Sequence, residues 1–270
     1  MPTHSEEIQK GKRFAFGENW SRFHRLLSEE RIVTAENSLK EMLRITTLSG
    51  KSFLDVGSGS GLFSLAARRL GAKVFSFDYD PASVECTRVL RERLFPNDPD
   101  WTVEAGSVLD SAYLAKLPQF DVVYSWGVLH HTGSMWNALG NLAPLVLPGG
   151  KLFVAIYNDE GLCSRYWTVV KRLYVRHPLL RWPLILIHTV HPFLPSQIYR
   201  ALTGRLKKER GMSAWYDLID WVGGYPFEVA STRQLFEFYR DKGFRLDAIQ
   251  TTNRSGCNEL VMVKEPECAG

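Results

Sequence analysis

The sequence predicts an α/β fold: a doubly wound, mostly parallel seven-stranded sheet ending in an antiparallel C-terminal hairpin. It adds a helical N-terminal extension and a helical insert before the last helix. Three observations carry that prediction. Apolar runs of strand character alternate with helix-period segments throughout residues 50–157. The first run, Ser52 to Val56, passes through three alternating glycines into a helix pattern that begins at Leu62. Two strand-like runs near the C-terminus are separated only by "TNRSGC", which is too short for a parallel crossover and suits antiparallel neighbours.

Taken in order, residues 1–49 read as the extension, with "SRFHRLLSEERIVTAENSLKEMLR" carrying most of its helix. After "SFLDV" and the glycines comes "LFSLAARRL", a helix with Leu62, Leu65, Ala66 and Leu70 along one side. "AKVFSFD" is the second strand, ending at Asp78. Asp80 and Pro81 then supply the N-cap and first position of the helix "PASVECTRVLRERL". The third strand starts at Trp101, and the fourth runs from Phe120 to Trp126. "MWNALGNLAPLVL" reads as a helix stopped by "PGG" at 148–150, ahead of a fifth strand, "KLFVAIY". "STRQLFEFYRDKG" is the last helix, and "FRLDAIQTT" and "NELVMVKE" are the hairpin strands. The organisation is therefore an extension at 1–49, a core at 50–157 and 231–264, and an insert at 158–230.

Hydrophobic content of 45% and charged content of 23% over 270 residues are ordinary for a globular protein with a sizeable core. The first thirteen residues contain no apolar segment of secretory type. Cys86, Cys163, Cys257 and Cys268 show no Cys-x-x-Cys spacing, so they read as reduced thiols of a cytoplasmic protein, without a metal site. "WPLILI" is far too short to span a membrane. The net charge of +4 hides an asymmetry. Between Arg165 and Arg210 there are ten Lys or Arg against one acid, Glu209, so this stretch carries +9 and the remainder −5.

The glycine turn is where chemistry enters. Glycine permits positive φ and close approach of a ligand to the backbone, and the following helix N-terminus favours polar or anionic groups. A phosphate-binding P-loop would need a Lys after its last glycine, and none is present. The dinucleotide fingerprint fails at its third place, where Leu62 stands, which puts an NAD-dependent oxidoreductase last. The pattern present is Asp-x-Gly-x-Gly-x-Gly, Asp55 to Gly61. It resembles motif I of the class I S-adenosylmethionine (SAM) dependent methyltransferases. The wider set "FLDVGSGSG … SFDYDP … FDVVYSWGVLHHTG … PGGKLFVAIYND" is similar to their small-molecule branch, which includes ubiquinone-pathway O-methyltransferases.

That resemblance implies SAM as cofactor and S-adenosylhomocysteine as product. Gly57, Ser58, Gly59 and Gly61 would pass beside the methionyl and ribose parts, with Asp55 facing the ammonium group. Asp78, 21 residues after Gly57, has the spacing of a carboxylate that accepts from both ribose hydroxyls. Tyr79 could pack on adenine. Ser107 and Val108 map to the adenine edge, where many relatives carry Asp at the serine position; Asp110 either substitutes or caps the next helix. Ser125 and Trp126 would offer backbone to the methionyl amine.

His130 and His131 follow the fourth strand on the rim where such enzymes bring substrate, and imidazole suits a base near neutral pH. They are the catalytic candidates, His130 slightly preferred, with packing or capping as the alternative. In the insert, "SRYWTVVKRLYVRHPLLRW" interleaves aromatic and basic residues, and "DLIDWVGGYPFEVA" brings Asp217, Asp220, Trp221 and Tyr225 back towards the core. This suits a lid over an anionic or aromatic acceptor, peripheral contact with a membrane, or contact with RNA; solvated surface charge is the plain alternative. "FAFGENW", Phe14 to Trp20, is a second closing segment or a docking one. The expected activity is methyl transfer to a small-molecule or lipid-like acceptor, at oxygen. Alternatives are a tRNA-modifying methyltransferase, because "SWGVLHHTG" also resembles a loop of wobble-uridine enzymes, and a non-catalytic SAM-binding protein. Nothing points to DNA.

Overall fold

A computed structural model describes residues 3–17, 27–189, 214–252 and 256–266. Seven strands form one sheet: β1 (Ser52–Val56), β2 (Lys73–Asp78), β3 (Trp101–Ala105), β4 (Phe120–Trp126), β5 (Val146–Tyr157), β6 (Phe244–Gln250) and β7 (Cys257–Lys264). Their order is β3-β2-β1-β4-β5-β7-β6. The first five strands are parallel, and β7 runs antiparallel between β5 and β6.

Nine of the helical segments used below are α1 (His4–Gln9), α2 (Glu29–Leu43), α3 (Leu62–Arg69), α4 (Pro81–Leu94), α5 (Ser111–Leu114), α6 (Met135–Leu142), α7 (Leu162–Arg176), α8 (Arg181–His188) and α9 (Ala214–Gly223). The last, α10 (Thr232–Arg240), precedes β6. Successive strand residues face opposite sides of a sheet, so Phe53 and Leu54 enter different cores. Phe53, Val74, Val122, Tyr124 and Phe153 pack with Leu39, Leu43, Leu65 and Leu90 of α2, α3 and α4. Leu54, Val56, Val123, Leu152 and Val154 pack with Leu114, Leu139, Leu235 and Tyr239 of α5, α6 and α10. Helices on both faces leave no wet side, which explains why the central strands are apolar throughout rather than alternating.

β5 departs from the sequence expectation. Its first residue is Val146, ahead of the "PGG" taken as the stop before the strand. The α-helix ends at Leu142, at the approach of Pro144, and a single 3₁₀ turn leads into the strand. Val146 pairs with Phe120, and the register then shifts before Lys151 meets Val122. Gly149, at φ +77°, accommodates that irregularity inside the strand. The extension's helix likewise begins at Glu29, behind extended Ser28; residues 18–26, with Trp20 of "FAFGENW", lie outside the described residues.

The insert builds its own small core. On α7 the inward positions Ser164, Trp167, Val170, Lys171 and Tyr174 follow a three-and-four spacing, and they meet Ile185, Leu218, Val222 and Phe227. Arg165, Arg172 and Arg176 lie exposed on the other side. The side chains of Asp217 and Asp220 fall outside the described residues. The N-terminal segment crosses the carboxyl ends of the strands: Phe14 N–H donates to the Tyr225 carbonyl at 2.9 Å, and Gly17 N–H to Asp80 at 2.8 Å.

Candidate active site

β1 neighbours β2 on one side and β4 on the other, so the chain leaves these two strand ends in opposite directions. Such a switch point opens a crevice at the carboxyl edge, where ligands of doubly wound sheets bind. Two glycine turns flank it: Gly57 after β1 at φ +82°, and Gly127 after β4 at φ +74°. A Cβ on Gly57 would stand 2.4 Å from Cγ1 of Val128, so only a bare backbone lets the two turns meet. A Cβ on Gly127 would find no atom within 4 Å, which leaves that turn open to a ligand.

The loop is tied to the end of β2. Gly57 and Ser58 N–H groups donate to the Phe77 carbonyl at 2.8 and 3.2 Å. Gly59 N–H donates to Asp78 Oδ2 at 2.9 Å, while Asp78 Oδ1 accepts from Asp80 N–H at 2.9 Å. The glycine turn and the carboxylate predicted to share a ligand are thus in direct contact. Tyr79 N–H also donates to this carboxylate, which keeps acceptor capacity for a further donor. Burial pushes its pKa up to about 6, against the pull of these backbone N–H groups. Ser58 Oγ lies 2.9 Å from Thr87 Oγ1, and Gly61, at φ +78°, packs against the same threonine, locking the turn to α4.

Asp55 faces α3. Ser64 Oγ donates to it at 2.5 Å, and a polar chain continues through Ser76 Oγ (2.8 Å) to Trp101 Nε1 (3.0 Å). The carboxyl is 2% exposed, and burial raises its pKa to about 7 despite the Ser64 hydroxyl. Tyr79 receives His4 edge-on at 5.4 Å and the Arg13 guanidinium over its ring at 5.2 Å. Ser107 Oγ accepts from Leu109 N–H at 3.2 Å, and Val108 packs in the core with its carbonyl bound by Asn141. Asp110 caps α5 through Tyr113 N–H. Ser125 Oγ donates to the Val56 carbonyl, bracing β4 on β1, and Trp126 Nε1 donates to Glu259 on β7.

His130 and His131 form a 3₁₀ turn after Val128, their rings 4.4 Å apart. Tyr157 N–H donates to His130 Nδ1 at 3.3 Å, while Nε2 of the same ring is buried with no partner among the described residues. His131 Nδ1 is 2.6 Å from the Pro226 carbonyl. Burial holds His130 well below the usual imidazole range and lowers His131 to about 3. Both rings are neutral at pH 7.

Behind them stands an aromatic cluster that sequence reasoning only partly anticipated. Tyr157 stacks on His130 at 3.9 Å, and Trp221 and Phe227 pack on Tyr157 at 5.3 and 5.4 Å. Lys171 is fully buried in this group, its ammonium 4.6 Å from the Trp221 ring and 4.8 Å from Phe227, and it donates to the Trp221 carbonyl. The signal for Lys171 was its place on the apolar stripe of α7, four residues after Trp167. A cavity of about 10 Å³ remains among Tyr157, Trp167, Trp221 and Phe227. Arg13, on the N-terminal segment, was missed too; it donates to the His131 carbonyl at 2.8 Å and to Glu7 at 2.7 Å.

A doubly wound sheet of this order, with a glycine turn and an acidic β2 end at its switch point, defines a methyltransferase core of the SAM-dependent class. The chain belongs to the family whose model is described as a methyltransferase domain, which matches residues 27–206. A tRNA U34 carboxymethyltransferase of Methylococcus capsulatus is 34% identical over 122 residues, covering 45% of this chain and 36% of the relative. A ubiquinone biosynthesis O-methyltransferase of Coxiella burnetii is 30% identical over 155 residues, covering 57% and 63%. The chain thus spans less than two thirds of either relative's length. Among solved structures, the magnesium protoporphyrin IX methyltransferase of Synechocystis PCC 6803 with bound SAH shares the fold at TM-score 0.54 and 14% identity, covering 91% of this chain and 94% of that one. A SAM-dependent methyltransferase from Aquifex aeolicus does so at TM-score 0.51 and 14% identity, covering 90% and 97%.

Proposed function

We propose that the protein transfers a methyl group from SAM to a hydroxyl of a small-molecule or lipid-like acceptor. The observation that carries this reading is the contact of the bare Gly57–Gly59 turn with Asp78 at the switch point, opposite the open Gly127 turn. These residues fit the cofactor chemically: a backbone free of Cβ atoms beside the ligand, and a carboxylate with lone pairs left for a ribose diol. Asp78 holds the ribose, and Gly57, Ser58, Gly59 and Gly61 shape the turn beside the methionyl part. Asp55 acts from beneath as a buried carboxyl that ionises as the ammonium group binds, while Tyr79 and Val108 flank the adenine. Ser107 supports the adenine edge through the turn it caps, and Ser125 and Trp126 position the β4 end. When bound, SAM supplies an electrophilic methyl group on a sulfonium whose sulfur leaves as the thioether of S-adenosylhomocysteine. The protein's share is alignment, proton removal and exclusion of water.

An oxygen acceptor is supported by the O-methyltransferase activity of the ubiquinone-pathway relative and by two neutral imidazoles beside the β4 end. A lipid-like one is supported by the insert. Leu179 (92% exposed), Trp182 (72%) and Leu186 (65%) accompany Arg165, Arg172, Arg176 and Arg181, and no acid occurs from 161 to 189. Exposed apolar and basic side chains within one acid-free segment suit contact with an anionic bilayer. The tRNA reading is favoured by the carboxymethyltransferase relative, by the likeness of "SWGVLHHTG" to a loop of wobble-uridine enzymes and by the basic insert. A radiolabelled methyl-transfer assay on fractionated cell extract separates these readings. We expect label in the organic phase as a methyl ether. Label confined to RNA, or no transfer to any fraction, refutes the proposal.

A further inference from the structure

We propose, on the basis of the methyltransferase reading above, that the Tyr157 amide and the Pro226–Glu228 segment lock His130 and His131, respectively, into opposite neutral tautomers. The pair then presents one N–H and one lone pair to a hydroxyl acceptor.

Each ring has its choice made by a backbone group. An amide N–H can only donate, so His130 Nδ1, facing Tyr157 N–H at 3.3 Å, is the bare nitrogen and Nε2 carries the proton. A carbonyl can only accept, so His131 Nδ1, 2.6 Å from the Pro226 oxygen, carries the proton and Nε2 holds the lone pair. The buried Nε2–H of His130 has no acceptor among the described residues, an unsatisfied donor of the kind a bound oxygen would complete.

The clamp is built from three contacts. Glu228 N–H donates to the His130 carbonyl at 2.9 Å, and the Pro226 carbonyl takes the His131 proton. The Glu228 carboxylate accepts from Met135 N–H at 3.0 and 3.2 Å, fixing the start of α6 just beyond the histidine turn. Arg13 holds the His131 and Thr132 carbonyls from the other side, at 2.8 and 3.4 Å. This gives the "GYPFE" stretch, read from the sequence as part of the lid, a positioning role.

In the transfer, His130 donates to the acceptor oxygen and orients it. His131 Nε2 accepts the hydroxyl hydrogen bond and turns an oxygen electron pair towards the methyl carbon; with SAM bound, that pair would form the new oxygen–carbon bond, the sulfur–carbon pair would stay on sulfur, and the hydroxyl proton would leave to solvent. The charged groups facing the rings are Lys171 for both and Arg13 for His131, and each opposes protonation. Imidazolium does not accumulate, and both tautomers persist at neutral pH.

The test is long-range ¹H–¹⁵N correlation on the full chain labelled with ¹⁵N-histidine, with His130→Gln and His131→Gln assigning the signals. We expect the proton on Nε2 of His130 and on Nδ1 of His131 between pH 6.5 and 8. Glu228→Ala should convert His131 to a mixture of tautomers, and Glu228→Gln, which keeps an acceptor for Met135 N–H, should restore the single form. The same tautomer on both rings, or no change in Glu228→Ala, overturns the inference. If Glu228→Ala does not fold, the native and Glu228→Gln spectra decide it alone. Calorimetric SAM binding on the same samples separates the two readings: opposite tautomers without SAM binding would leave the clamp standing and remove the methyltransferase reading beneath it.

Discussion

Asp55 and Asp78 lie under the glycine turn in surroundings that raise their proton affinity, to about 7 and about 6. A carboxyl with a raised folded pKa contributes stability below its unfolded value and loses that contribution as pH rises through the folded one. The site is therefore least stable when both groups are ionised, and a cationic ligand relieves it. Affinity for SAM should rise about tenfold or more between pH 5.5 and pH 7.5, with protons released on binding, since one pKa unit corresponds to about 1.4 kcal/mol. Calorimetry in buffers of different ionisation enthalpy measures both; flat affinity with no proton release would show that neither carboxyl senses the cofactor. The nearness of Asp78 to the glycine turn was legible because both lie in one β1–α3–β2 unit with adjacent parallel strands. The histidine tautomers were not. They are set by Tyr157 and Pro226, 27 and 95 residues away, and only folding brings those groups to the rings.

Among the elements, α4 and the N-terminal segment meet at Asp80. One carboxylate oxygen accepts from Ala82 N–H at 2.9 Å and caps the helix; the other accepts from Gly17 N–H at 2.8 Å. Asp80→Ala removes both. It should lower stability by about 1–2 kcal/mol, the upper range for a lost N-cap, as read by the midpoint of urea unfolding. Asp80→Asn, which keeps one oxygen acceptor for the cap, should recover about half; an unchanged midpoint in Asp80→Ala would mean the segment is not anchored there. The cap was visible in "DP" because capping is local. The tie to Gly17 was not, and neither was the β5 start: "PGG" reads as a stop, yet pairing of Val146 with Phe120 draws the residues before it into the sheet. In the same way the inward stripe of α7 carries Lys171, which composition alone would place among solvated charges.

For the whole molecule, the parallel core and the antiparallel final pair were written in the sequence as alternating elements and a short last connection, whereas the order β3-β2-β1-β4-β5-β7-β6 is set by which strands pair in the folded sheet. That order creates the crevice, and the crevice gives the glycine turn its meaning. The position of the insert's core against Tyr157 could not be read in advance, because it depends on side-chain packing between segments more than fifty residues apart. The most direct measurement of the central claim is a calorimetric titration of the full chain with SAM, alongside Asp78→Ala. The account predicts saturable one-to-one binding that weakens at least tenfold in the variant, with the circular dichroism spectrum unchanged. Absence of binding in the native chain, or equal affinity in the two proteins, would contradict it.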